Sequence, residues 1–216
     1  MSTILDQLSG VGVVPVIAVD DVPQAEMLAD ALVAGGLPVA EITFRTAAGA
    51  AAIKALAQRG DLLLGAGTVT TVEQVEAAVE AGAQYIVSPG TSKAVVERAQ
   101  QLGVMALPGA VTATEIQAAL ELGITTVKFF PAGTSGGAAA IKALHAPFAN
   151  IKFVPTGGIG LDNLADYLSL PYVAAVGGSW MVKPELLREG DKGKLAQLAH
   201  DAVTKAAEIR AAYVAR

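Results

Sequence analysis

The chain has 216 residues, 53% of them apolar but only 5% aromatic, with a formal net charge of −5 and no cysteine. That length accommodates one domain with a sizeable core, and an apolar content made mostly of Ala, Val, Leu and Ile suits a parallel sheet buried on both faces. The missing cysteines exclude disulfides and thiolate metal sites, and a negative chain without a basic cluster argues against nucleic acid as a partner.

The N-terminal MSTILDQLSG has no basic flank and carries Asp6, so it does not read as a signal peptide, and a cytoplasmic location is expected. Eight apolar, strand-like runs follow: VVPVIAV (13–19), PVAEITF (38–44), DLLLGA (61–66), QYIVS (84–88), VMALP (104–108), ITTVKFF (124–130), IKFVPT (151–156) and YVAAVG (172–177). They recur every ~20 to 27 residues, the length of one βα unit. Helical patterns lie between them. Asp20 and Asp21 read as helix caps ahead of Pro23 in a first turn. Thr70 with Glu73, and Thr112 with Glu115, have capping-box spacing. Gly36, Gly60, Gly82, Gly103 and Gly123 each end a helical stretch, where a left-handed residue is needed. The last segment places Leu195, Leu198, Ala202, Ala206, Ile209 and Tyr213 at steps of three and four, which predicts a closing amphipathic helix.

The uncharged runs 99–114 and 167–182 are broken by Gly, Pro and polar residues, so no membrane span is expected. No linker or charge run divides the chain, and residues 1–216 are expected to form one (β/α)8 barrel with an extra C-terminal helix. An open doubly wound sheet is the alternative; the count of eight and the lack of a G-x-G-x-x-G fingerprint after the first run favour closure.

In a barrel, chemistry gathers where strands end. In the second run, Glu41, Thr43 and Arg45 fall on one face by the period of two. Glu41 is a candidate general acid/base, and Arg45 has the planar fork that holds a carboxylate. The bland alternative is that the two pair with each other or with a lysine and only shape the mouth. The third run ends in GAGT, where Gly65 and Gly67 admit close backbone approach and Thr68 adds a hydroxyl. The sixth run carries Lys128 in an otherwise uncharged strand, on the face of Thr126 and Phe130. Burial there favours the neutral amine, which attacks a ketone to form a Schiff base; the alternative is a structural lysine paired with a carboxylate. The last two runs end in TGGIG (156–160) and VGGSW (176–180). Gly157, Gly158, Gly177 and Gly178, each pair followed by a possible helix start, match the phosphate site of this fold, and Ser179 adds a hydroxyl. His145 reads as a residue near a helix C-terminus and His200 as one on the polar side of the last helix. Two separated histidines are a poor ligand set, so no metal is expected.

With these residues placed, the chain resembles the 2-keto-3-deoxy-6-phosphogluconate (KDPG) and 4-hydroxy-2-oxoglutarate (KHG) aldolases, essentially end to end. The resemblance rests on VVPVIAV, EITFRT, GAGTV, SPG (88–90), KFFPA, PTGGI and GGSW, in the family's order. It implies a class I aldolase without cofactor that takes a small phosphorylated 2-keto acid. Lys128 would be the Schiff-base lysine and Glu41 the proton carrier. Arg45 and Thr68 would hold the pyruvyl carboxylate, with Pro89 and Phe130 lining the pocket. Gly157, Gly158, Gly177, Gly178 and Ser179 would surround the phosphate. It also implies a homotrimer. Two positions depart from the family pattern: Phe44, where Leu is frequent, and the loop 133–135, Gly-Thr-Ser here, where an acidic residue is common. An epimerase or isomerase using Glu41 as base without a covalent step, and an idle phosphometabolite-binding barrel, are the competing readings.

Overall fold

The computed structural model describes residues 3–214; the ends of the expected domain, Met1, Ser2, Ala215 and Arg216, lie outside the described residues, as does the start of the N-terminal segment. The elements in chain order are α1 (Ile4–Val11), β1 (Val13–Ile17), α2 (Val22–Ala34), β2 (Val39–Thr43), α3 (Gly49–Ala57), β3 (Leu63–Gly67), α4 (Val72–Ala81), β4 (Tyr85–Val87), α5 (Lys93–Gln101), β5 (Met105–Leu107), α6 (Ala113–Glu121), β6 (Thr126–Phe129), α7 (Gly137–His145), β7 (Lys152–Pro155), α8 (Leu164–Leu168), β8 (Val176–Gly178), α9 (Pro184–Glu189) and α10 (Lys192–Val214). Among the described residues, then, each strand is followed by one helix, with α1 ahead of the first unit and α10 behind the last.

The strands are parallel and close on themselves. β5, β4, β3, β2, β1 and β8 pair in that order, and β6 pairs with β7. Two seams join these groups. Lys128 N–H donates to Pro108 and its carbonyl accepts from Ala110 N–H; Phe153 N–H donates to Tyr172 and its carbonyl accepts from Ala174 N–H. The ring therefore runs β1 to β8 in sequence order, the closed barrel that the eight runs predict. Every residue of β2, β3, β4, β6 and β8 is buried, as strands covered on both faces must be.

Local chemistry sets the helix ends. Asp21 accepts from Gln24 N–H with Pro23 in the first turn, and Thr112 with Glu115 forms a full capping box. The expected box at Thr70 and Glu73 does not form. Thr71 caps α4 by accepting from Gln74 N–H, and Thr70 bonds the Gln74 side chain instead. Either threonine can cap, and only the approach of the chain from β3 chooses. Gly36, Gly60, Gly82, Gly103 and Gly123 all have positive φ, as their places predict. The start of the eighth run differs: Val173 makes only a bridge to β7, and the ladder to β1 starts at Val176.

α1 lies across the N-terminal end of the barrel, where Leu5 borders the starts of β5 and β6 beside Val104, Thr125 and Thr126. α10 packs on α2, and buries Leu195, Ala199, Ala202 and Ala206. Leu198 and Ile209 are partly covered, whereas Tyr213 is exposed. Arg210 ties the helix to the barrel floor by donating to the carbonyls of Val173 and Ala174. No helix among the described residues is long and apolar enough to cross a membrane.

Candidate active site

Lys128 stands in the middle of β6, between the neighbouring seam to β5 and the ladder to β7. Backbone bonds on both sides fix its Cα, so the side chain has one way to go, inward. Its Nζ lies 3.1 Å from Glu41 Oε1 on β2, across the barrel. Lys128 is 5% and Glu41 3% exposed, so this is a buried ion pair. Desolvating two charges is favourable only with close geometry, and removing either partner would orphan the other. The pairing that the sequence left open is thus Glu41 with Lys128, not Glu41 with Arg45.

Room for Glu41 comes from its neighbours on β3. Gly65 is its register partner and Gly67 lies beside it; a Cβ on Gly67 would collide with the Glu41 carboxylate. Thr43, next inward on β2, spends its hydroxyl on the Ile17 carbonyl at 2.8 Å.

Close to the pair, though lined by neither Lys128 nor Glu41, is a cavity of ≈ 330 Å³ bounded by Val16, Arg45, Phe130, Thr156, Gly157, Gly158, Ile159, Gly178 and Ser179. Six of the residues singled out in the sequence meet here: Arg45, Phe130, Gly157, Gly158, Gly178 and Ser179. The Phe130 ring links cavity and pair, since Lys128 Nζ lies 5.4 Å from its centroid. Arg45 lies past the end of β2 and is exposed at the rim, with its guanidinium in no ion pair or hydrogen bond among the described residues.

Gly157 and Gly158 both hold positive φ, 99° and 73°, a backbone that only glycine adopts without strain. Gly157 N–H faces the Gly177 carbonyl in the bridge that joins β7 to β8, whereas the N–H groups of Gly158 and Ser179 have no protein acceptor among the described residues. The loop is braced from behind: Gly133 N–H donates to the Gly157 carbonyl at 2.9 Å, and Asn163 Nδ2 to the Gly158 carbonyl at 3.0 Å. So the unusual loop at 133–135 supports the glycine turn. Gly177 does not line the cavity; it is bare because a Cβ there would strike the Thr156 hydroxyl. One expectation fails. No helix starts at either glycine pair, since α8 begins at Leu164 and α9 at Pro184. Bare peptide N–H groups, rather than a helix dipole, are what this mouth offers an anion.

Thr68 and Pro89 also stand apart from the cavity lining, at the ends of β3 and β4. Thr68 is half-buried and has a φ of 58°, the one non-glycine residue with positive φ among the described residues. Such strain concentrates at functional positions. His145 sits at the end of α7 stacked on Tyr172, and no group of three or more metal-ligating side chains is assembled among the described residues.

Two residues here escaped the sequence reading. Thr156 lines the cavity with a buried hydroxyl that has no partner, and Tyr85 on β4 has another. Thr156 opens the TGG motif, a signal that was available; Tyr85 looked like any strand aromatic.

A model of the KDPG and KHG aldolases matches residues 4–198. The chain is 49% identical to the 2-dehydro-3-deoxy-phosphogluconate aldolase of Treponema pallidum, over 92% of this chain and 95% of that one. It is 41% identical to the KHG/KDPG aldolase of Escherichia coli K12, over 88% and 90%. Among solved structures, it superposes on the KDPG aldolase of Legionella pneumophila, with pyruvate captured as a covalent carbinolamine intermediate, at a TM-score of 0.89 and 36% identity, covering 93% and 98% of the two chains.

Proposed function

Because this chain belongs to the KDPG and KHG aldolase family, we propose that it is a class I aldolase that cleaves 2-keto-3-deoxy-6-phosphogluconate to pyruvate and glyceraldehyde 3-phosphate, and 4-hydroxy-2-oxoglutarate to pyruvate and glyoxylate. The buried Lys128–Glu41 pair, with Lys128 against the Phe130 ring that borders the cavity, carries the reading. Family membership sets aside the non-covalent epimerase and the idle binding barrel, neither of which gives the lysine a task.

The chemistry uses the pair in both directions. Glu41 Oε1, at 3.1 Å, is within reach to take the proton that Lys128 must lose before it attacks the substrate C2 ketone. The amine adds to C2, Glu41 returns its proton to the C2 oxygen as that oxygen leaves as water, and the protonated imine becomes an electron sink beside a carboxylate free to act again. Glu41 then removes the C4 hydroxyl proton. The C3–C4 bond breaks, its electrons flow into an enamine, and the phosphorylated aldehyde departs. Protonation at C3 and hydrolysis release pyruvate and the free amine. Proton transfers of this kind contribute about 10²–10⁴ in rate.

We assign the carboxylate end of the substrate to Arg45 and Thr68, with Pro89 and Phe130 alongside, and its phosphate to the turns Gly157–Gly158 and Gly177–Ser179. The free N–H groups of Gly158 and Ser179 support the second assignment, and the unpaired guanidinium of Arg45 supports the first. Family resemblance extends the reading to a cytoplasmic homotrimer, which light scattering checks for mass. Incubation with pyruvate and borohydride, followed by digestion, tests the central claim: a pyruvate-derived adduct is expected on the peptide holding Lys128. An adduct elsewhere, or none, overturns it.

A further inference from the structure

Starting from Glu41 of the ion pair, three residues lie side by side across neighbouring strands. Glu41 on β2 is in register with Gly65 on β3, and Gly65 with Tyr85 on β4. Residues in register point to the same side of a sheet, and Glu41 points inward, so Tyr85 does too. Tyr85 crosses the gap: a Cβ on Gly65 would overlap its Cε2 and Cζ. Its ring therefore lies over β3, and the hydroxyl, one bond beyond Cζ, is carried toward β2 and Glu41. That hydroxyl is fully buried and makes no hydrogen bond in the resting structure.

We infer that Tyr85 is a positioning residue for the reaction, its hydroxyl held in reserve as the donor that Glu41 takes when Lys128 is bound up in the imine. The inference rests on the aldolase reading above. Once Lys128 Nζ is part of the protonated imine it keeps its charge but only one of its three N–H donors, so Glu41 loses hydrogen-bonding capacity from its ion-pair partner just as it must act as base. Of the titratable side chains on the strands, the inward layer holds Glu41, Tyr85 and Lys128. β1, β3, β5 and β8 carry none, and Lys152 is exposed at the opposite end of β7. Arg45, past β2, faces the cavity. The hydroxyls of Thr43 and Thr126 are neutral donors on the same inward faces, but Thr43 donates to the Ile17 carbonyl and Thr126 lies on β6; among these hydroxyls Tyr85 is the one that register carries across β3 from Glu41. Burial, and then the nearby Glu41 charge, hold its hydroxyl well above the usual phenol range, so it stays protonated and can donate. A resting hydroxyl without a partner is costly, so it makes sense where a partner arrives during turnover.

Tyr85→Phe removes only that oxygen. We expect the variant to melt at the same temperature as the parent or higher, because an unpaired buried hydroxyl is gone. Its kcat should fall about tenfold, as for a lost hydrogen bond to a charged group, with KM little changed. The acid limb of its kcat–pH profile should move to higher pH, since a carboxylate without its donor binds a proton more readily. Substituting 3-fluorotyrosine at position 85 keeps the shape, strengthens the donor and should move that limb the other way. Unchanged kcat and pH profiles in both variants, with pyruvate still trapped on Lys128, would overturn the positioning role alone. Failure of trapping in the parent enzyme would instead overturn the aldolase reading beneath it.

Discussion

Glu41 and Lys128 stand 87 positions apart in the chain, yet their side chains meet at 3.1 Å inside the barrel. β2 and β6 are opposite one another in the ring, so only closure brings them together.

Breaking this pair should separate its chemical from its structural role. Lys128→Met is expected to abolish both pyruvate trapping and turnover, and to leave the Glu41 charge buried without a cation, at a cost of about 3 kcal/mol in urea unfolding. Lys128→Arg also loses trapping but keeps a cation beside Glu41, so it should unfold at higher urea than the Met variant. Equal stability of the two would contradict a charge-paired core.

Glu41→Gln preserves size but not basicity. It should lower kcat by about 10²–10⁴ while the borohydride adduct still forms slowly on Lys128. Steady-state kinetics and mass spectrometry of the trapped protein read the two effects separately.

Gly67→Ala pushes directly on the Glu41 carboxylate. A displacement of an ångström is enough to lower kcat about 10²-fold, with KM less affected. Gly10→Ala in α1, where a Cβ meets nothing within 4 Å, serves as the matched control and should leave kinetics unchanged.

Thr156→Val exchanges a buried, unpartnered hydroxyl in the cavity for a methyl group. The melting temperature should hold or rise, while KM for the phosphorylated substrate increases about tenfold if the hydroxyl bonds it. A KM equal to that of the parent removes Thr156 from the binding surface.

The cap of α6 should titrate. Burial pushes the Glu115 carboxyl up, but hydrogen bonds from Val111 N–H and from the Thr112 hydroxyl and N–H outweigh it and hold it below the usual range. A depressed carboxylate stabilises the fold above the unfolded-state pKa of about 4.3, and that contribution is lost as pH falls through the lower folded value. Glu115→Gln should therefore cost about 1 kcal/mol at pH 7 and much less near pH 3, by thermal melts at both.

Much of the fold was legible because its signals are local. Eight apolar runs, five glycines with positive φ at helix ends, and the Thr112–Glu115 box each follow from interactions over a few residues. Where two neighbours offered the same chemistry, as at Thr70 and Thr71, local rules could not choose. Nor could they show that α8 and α9 start well after the glycine pairs, because that depends on how each loop crosses the barrel rim.

The site divides the same way. An unbalanced lysine in an apolar strand and an acid one face over on another are visible in the chain itself, since a charge among buried residues demands an explanation. Their partnership is not. Whether Glu41 would bond Arg45, two steps along its own strand, or Lys128, on the far side, depended on which strands faced each other. Tyr85 is the sharper case: nothing in QYIVS marks its hydroxyl, and only the bare Gly65 on the next strand lets the ring lie across and aim it at Glu41. Sequence alone determined the elements, their number and the residue types at their ends, because those are set by short-range periodicity and backbone preference. Tertiary structure decided which of those residues touch, because contact across a closed sheet is fixed by register and ring order, which no single strand encodes.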